Sequence, residues 1–342
     1  MEEQTIDDLT EDLVLQCLVR LHYKDLISAS WVCRKWRRLL QSRHFYRMRK
    51  QLGYTNQLAC FLQHPLPSPL GSNSVFNFAI SVLDPMSLEW NRLPSIPNVI
   101  LGFYESIQIA SSNGKLVVIN HGRDHRTSLF VWDFLTQRWW KGKDLPSVWP
   151  FFFLVDFDGQ IFVGVSNGNK SNSVWEYDMR KDEWTELPQM SQKLSRCHEL
   201  KVIGDELWVL NCCNTNHIEN EHSAEVYHFQ TGKWRLVELD LEQTNDSSCP
   251  DCCHKFEFHE LLMELPELNS IIIAHFSRLQ LGAQSLVMVT VTTGFDNEGK
   301  YYWKERWEGL FFMRSQYGNF EQIHPISSEF ATHVRTSCCV EV

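Results

Sequence analysis

The 342-residue sequence contains no uninterrupted run of about 18 apolar residues, which excludes a transmembrane helix. Its start, Met1-Glu2-Glu3-Gln4-Thr5-Ile6-Asp7-Asp8, lacks the basic and apolar front of a secretory signal. The 11 cysteines are therefore expected as reduced thiols in cytosol or nucleus. Their odd number, and the adjacent pairs Cys212-Cys213, Cys252-Cys253 and Cys338-Cys339, fit poorly with a disulfide framework. No nucleophile elbow, Walker loop or dinucleotide fingerprint is present, so no cofactor is expected. Glycine (16) and proline (12) are modest, whereas tryptophan (13) and phenylalanine (21) are abundant, as expected of many short, half-buried strands. A hydrophobic share of 43% with 22% charged residues excludes wholesale disorder. At ~100–200 residues per domain, the length leaves room for two domains, or for one repeat body with an appendage.

Basic residues are missing altogether from the first 19 positions, which carry six acids. Residues 20–50 then hold ten bases against one acid, Asp25. The first fifty residues carry a net charge of +3, leaving −13 for the remainder. Such a division predicts different partners for the two parts, and the acidic body argues against nucleic acid.

Thr10 precedes Glu11-Asp12-Leu13, where a hydroxyl can cap a helix and two acids suit its dipole. Leu13, Cys17, Leu18 and Leu21 recur as one apolar stripe. A second helix is predicted from about Lys24 to Ser30, burying Leu26 and Ala29. A third, from Trp31 to about Gln41, presents Val32, Trp36, Leu39 and Leu40, with Arg34, Lys35, Arg37 and Arg38 on its other face. Units below ~40 residues rarely bury enough surface alone, and nothing here offers a metal or disulfide, so a protein partner is expected.

The run Leu9-Thr10-Glu11-Asp12-Leu13, Leu18, Leu21, Asp25-Leu26 and Val32-Cys33-Arg34-Lys35-Trp36-Arg37 resembles an F-box. The resemblance implies docking on the Skp adaptor of a Skp–cullin–F-box ubiquitin ligase. It places Leu9, Leu13, Leu18, Leu26, Val32 and Trp36 on the adaptor-facing or supporting surface. Thr10 departs from the family's usual proline, which implies altered entry geometry with binding retained. The basic face would steer an acidic adaptor.

Beyond residue 50 the sequence repeats. Ser81-Val82-Leu83-Asp84 leads to Trp90, Phe130-Val131-Trp132-Asp133 to Trp139, Trp175-Glu176-Tyr177-Asp178 to Trp184, and Glu225-Val226-Tyr227-His228 to Trp234. The tryptophans are 49, 45 and 50 residues apart. Leu93-Pro94, Leu145-Pro146 and Leu187-Pro188 follow three of them. Upstream strands recur at Lys115–Ile119, Gln160–Val163 and Glu206–Val209. A small sheet cannot cover its own apolar faces, so these units must stack radially into a β-propeller, each tryptophan filling the space between blades. The array resembles kelch repeats, without the family's usual Gly-Gly pair at the end of the second strand.

Phe320 occupies the tryptophan place of a degenerate final unit, 86 residues after Trp234. That distance counts six blades, with five as the alternative. The tail 333–342 is expected to close the ring on the first blade, removing open edges. The fold class is thus mainly β: a kelch-like propeller over 51–342, with an F-box helical domain over 1–50.

Cys249, Cys252 and His254, with His259 beyond, suggest zinc, but no second C-x-x-C pair exists to complete four ligands. The stretch is read as a polar insertion with reduced thiols, and no metal is expected. The 14 histidines are scattered, so the propeller is expected to be non-catalytic. Loops at one mouth should carry recognition instead. The candidates are Arg123, His125 and Arg126, then Lys170, then His217 and Glu219, with the arginines suited to an acidic partner. What the two resemblances together imply is a substrate receptor: adaptor and cullin at the helices, a target protein at the loops, no membrane and no nucleic acid. A propeller scaffold outside the ubiquitin system is the alternative, and a propeller oxidase a more distant one.

Overall fold

The computed structural model describes residues 10–63, 78–97, 99, 106–122, 125–146, 151–166, 172–190, 197–212, 223–238, 272–292, 307–314, 320–332 and 334–342. Four helices come first: α1 (Glu11–Leu18), α2 (Tyr23–Val32), α3 (Arg34–Leu40) and α4 (Arg43–Leu52). Thr10 does stand at the N-cap of α1, but its side chain makes no capping bond. Trp31 and Val32 end α2 instead of opening α3, because Cys33 adopts an extended conformation and its Sγ accepts from the Trp36 N–H at 3.4 Å. The fourth helix goes beyond the three expected. Ser42 caps it through the Phe45 N–H (3.1 Å), and Gly53, at φ 72°, ends it in the left-handed region that glycine adopts without strain.

The strands follow in sets. β1 (Gln57–Gln63), β2 (Ala79–Asp84) and β3 (Glu89–Arg92) begin the first sheet. β4 (Ser106–Ser112), β5 (Lys115–His121), β6 (Thr127–Asp133) and β7 (Arg138–Lys141) make the second. The third holds β8 (Phe151–Phe157), β9 (Gln160–Ser166), β10 (Asn172–Asp178) and β11 (Glu183–Glu186). The fourth holds β12 (Cys197–Ile203), β13 (Glu206–Cys212), β14 (Ser223–His228) and β15 (Lys233–Glu238). β16 (Ile272–Leu281), β17 (Gln284–Thr292), β18 (Trp307–Arg314) and β19 (Phe320–Ile323) form the fifth. β20 (Val334–Glu341) returns to pair antiparallel with β1, completing the first sheet in the order β20-β1-β2-β3. The expected closure by the tail is therefore present.

The described residues form five four-stranded blades, while residues 239–271, within the stretch on which the count of six depends, lie outside the described residues. The fifth blade has long strands of 10, 9 and 8 residues.

Each repeat signal has a local cause. Asp84, Asp133 and Asp178 accept backbone N–H groups two residues on, at 3.0, 2.9 and 2.9 Å, fixing the turn before the outer strand. Leu88, Gln137, Asp182 and Gly232 sit two residues before the tryptophans at φ 55°, 53°, 53° and 65°. The indole N–H groups of Trp139, Trp184 and Trp234 donate to Pro94 O (2.7 Å), Lys143 O (2.8 Å) and Pro188 O (2.6 Å), each in the exit segment of the preceding blade. Trp90 instead is buried among Phe61, Phe311 and Phe330, between the first and fifth blades. The tryptophans thus join blades, as their spacing predicts. Further inter-blade cores unite the first and second, second and third, and third and fourth sheets.

Candidate functional site

The helices close their own small core around Val14, Leu15, Leu18, Val19, Leu26 and Phe45. Of the six positions singled out for adaptor binding, Leu18 and Leu26 lie inside that core, and Trp36 packs partly against it. Leu13 and Val32 remain 50% and 64% exposed. Leu9 lies outside the described residues. Trp31, not singled out from the sequence, is 75% exposed. Its signal was its place in the helix: it stands one residue before Val32 at the exposed end of α2.

The helical unit is seated on the propeller's short turns. Tyr23 donates to Asp84 (3.2 Å) and Lys24 pairs with Glu89, both at the β2–β3 turn. Burial, reinforced by Asp84, pushes the Tyr23 phenol well above its usual range. Arg43 and Arg47 both grip Asp158 in the β8–β9 turn, the Arg47 Nη2 donating to both carboxylate oxygens at 2.6 and 2.9 Å. Burial alone would raise the Asp158 carboxyl, yet the hydrogen bonds from Arg47 and Arg43 hold it below the ordinary carboxylate range. Lys50 pairs with Glu341 at 2.8 Å, and the Tyr46 hydroxyl donates to the same carboxylate at 3.2 Å.

The centre of this junction is Arg49, 1% exposed. Its guanidinium donates to Val19 O (2.9 Å), Leu21 O (2.6 Å), Tyr54 O (2.7 Å) and Val342 O (3.4 Å). One side chain thereby ties the α1–α2 link, the residues after α4 and the end of the closing strand. Burial lowers its pKa to about 10. Nearby, burial pushes the Asp156 carboxyl up to about 7, against the opposing pull of Ser112 and Lys50. The basic charge of residues 20–50 is therefore used partly within the chain: Lys24, Arg43, Arg47 and Lys50 meet propeller acids, while Arg34, Arg37 and Arg38 stay exposed. Sequence reading missed this seat, although Ser42 and Gly53 bracket α4 as ordinary cap signals.

The loops singled out for target binding leave the opposite end of the same strands. β5 runs from Lys115 beside the helical seat to His121 at the far mouth, about 20 Å away at ~3.3 Å per residue. There His125 (φ 61°) and Arg126 are exposed in a turn closed by Gly122 N–H to Arg126 O at 2.9 Å. The His121 ring lies 6.2 Å from that of His125. Arg123, Lys170, His217 and Glu219 lie outside the described residues, as do Cys249, Cys252, His254 and His259. Among the described residues no His, Cys, Asp or Glu group has metal-binding geometry. Cys17, Cys33, Cys60, Cys338 and Cys339 are free thiols. No helix among the described residues is long and apolar enough to cross a membrane.

Comparison with known proteins divides along the same line. The F-box domain family matches residues 6–48, covering α1–α3 and entering α4, and the Kelch motif family matches residues 157–191, from the β8–β9 turn through β11. The chain is 28% identical over 264 residues to the F-box/kelch-repeat protein At1g80440 of Arabidopsis thaliana, covering 73% of this chain and 74% of that one. It is 29% identical over 248 residues to At1g15670, an F-box/kelch-repeat protein of the same plant, covering 68% of each chain. A solved structure, TolB from Acinetobacter baumannii, aligns at 11% identity and a TM-score of 0.44 over 83% of this chain and 66% of that one, a likeness too loose to bear on function. The chain therefore joins an F-box domain to a kelch-motif propeller, and its relatives are the F-box/kelch-repeat proteins of Arabidopsis.

Proposed function

We propose that the chain is the non-catalytic substrate-recognition subunit of a Skp–cullin–F-box ubiquitin ligase in cytosol or nucleus. The helices hold the Skp adaptor and, through it, cullin. The far-mouth loops hold a target protein for ubiquitination and proteasomal degradation. The observation that carries this reading is that Leu13, Trp31 and Val32 stay uncovered although the helical core is complete and the unit is already seated on the propeller. Exposed large apolar side chains on a folded helical surface are characteristic of protein docking. The chain's contribution would be proximity, raising the effective concentration of a target lysine near activated ubiquitin.

The test is co-purification with a Skp adaptor and cullin. Leu13→Asp and Val32→Asp are expected to abolish adaptor capture while thermal unfolding stays within about 1 °C, since surface changes away from packed features cost within ~0.5 kcal/mol. Trp36→Ala is expected to weaken capture and lower stability together, because Trp36 packs on the helical core. A wild-type chain that captures no adaptor would overturn the reading in favour of a propeller scaffold.

A further inference from the structure

The pair of strands that closes the ring carries two thiols that neither the helical seat nor the adaptor surface uses. Cys60 in β1 stands directly opposite Cys338 in β20, and the two thiols are hydrogen-bonded. Directly opposed residues of antiparallel strands have Cα atoms about 4.5–5.5 Å apart, within the ~4.4–6.8 Å that a disulfide spans. Both side chains pack in the apolar seam between the first and second blades. Cys339, one residue on, packs instead in the seam with the fifth blade, since successive side chains of a strand point to opposite faces. The register therefore pairs Cys60 with Cys338 and leaves Cys339 out. All three are free thiols.

The two members of the pair differ in access. Cys60 is fully buried, whereas Cys338 is only half-buried. β20 touches β4 and β16, the first strands of the two neighbouring blades, which places it beside the ring axis. A small oxidant can reach Cys338 from that side, with Cys60 behind it as the resolving thiol. Desolvation, reinforced by Cys60, pushes the Cys338 thiol well above its ordinary range, so little thiolate is present and oxidation is slow.

We propose that Cys60 and Cys338 form a redox latch on ring closure, joined as a disulfide under sustained exposure to peroxide. Hydrogen peroxide oxidises the Cys338 thiol to a sulfenic acid and releases one water. The Cys60 sulfur then attacks that sulfur, the S–O bond breaks, and a second water leaves with the Cys60 proton. The two thiols thus lose two electrons and two protons, and both peroxide oxygens end as water. Nearly the whole propeller lies between the two positions, and a cross-link that closes a long loop restricts the unfolded chain most. The latch also reaches the helical seat, because Glu341 and Val342 follow Cys338 closely and hold Tyr46, Lys50 and Arg49. The inference goes beyond the ligase reading and does not rest on it.

The test exposes the full chain to millimolar hydrogen peroxide, blocks the remaining thiols with N-ethylmaleimide in denaturant, and maps the peptides by tandem mass spectrometry. A peptide pair joined through Cys60 and Cys338, lighter by two hydrogens, is expected, and dithiothreitol should separate it. The oxidised chain should unfold at least about 4 °C above the reduced one, with slower amide exchange in β1 and β20. Cys339→Ala should keep both effects, and Cys338→Ala should lose them. Cys60→Ala, a second variant with a chemical readout of its own, should let Cys338 advance to the sulfinic acid. Four results would each overturn the proposal: a bond between Cys338 and Cys339, a native chain whose Cys338 becomes sulfinic acid without any link to Cys60, a Cys338 still reduced when the exposed Cys17 is fully oxidised, or a link that leaves the unfolding temperature unchanged.

Discussion

Replacing Arg49 by methionine keeps most of the side-chain volume and removes every donor from the junction. Three of its bonds are close, to Leu21 O (2.6 Å), Tyr54 O (2.7 Å) and Val19 O (2.9 Å). At about 1.5–3 kcal/mol for each charged bond, their loss costs roughly 5–9 kcal/mol. Against this stands the burial of the guanidinium, which lowers its pKa to about 10. At ~1.4 kcal/mol per pKa unit, removing that burden returns about 3 kcal/mol. Arg49→Met should therefore destabilise the protein by roughly 2–6 kcal/mol. Arg49→Lys, which keeps the charge but loses the planar fork, should lie between methionine and the native chain.

Urea unfolding followed by tryptophan fluorescence would measure the loss, and hydrogen exchange would place it. Protection should fall in α1, α4, β1 and β20, whose residues share the Arg49 bonds or pair with the closing strand, while β9 and β10 stay protected. A loss below about 0.5 kcal/mol would refute the reasoning. An equal loss of protection in every blade would refute the assignment of Arg49 to the junction.

Two further outcomes follow from the same seat. Asp158→Asn should loosen the helices by about 1 kcal/mol, and the effect should shrink at 1 M salt, because Arg43, Arg47 and Asp158 all keep some solvent exposure; urea midpoints at two salt concentrations would show it, and a salt-independent loss would contradict it. Asp156 has a folded pKa raised to about 7, so the folded state holds its proton where the unfolded chain has lost it. Its contribution is complete below about pH 4 and declines by up to ~1.4 kcal/mol per pH unit as pH rises toward 7. Asp156→Asn should flatten that part of the stability profile and stabilise the protein at pH 8, and an unchanged slope would count against it.

The architecture was largely legible because burial and turn chemistry repeat locally. The aspartates at 84, 133 and 178 each fix a turn by bonding the backbone two residues on, and the tryptophans six residues later recur because each fills the seam between its blade and the next. The blade count was less legible, since the 86 residues between Trp234 and Phe320 break the period on which counting depends. For the candidate site, the resemblance to an F-box marked Leu13, Leu18, Leu26, Val32 and Trp36 together. Periodicity alone could not say which of them face inward.

The sequence by itself determined that helices precede a propeller, that its blades share one turn and tryptophan pattern, and that the tail closes the ring. Those features depend on residues close together in the chain, or on a pattern that recurs. Only the tertiary structure decided that the helices sit on the propeller's short turns, leaving Leu13, Trp31 and Val32 uncovered, and that Arg49 is buried among carbonyls from positions 19, 21, 54 and 342. The reason is physical: a charge becomes a buried tie when distant segments converge on it, and that convergence leaves no periodic trace in the sequence.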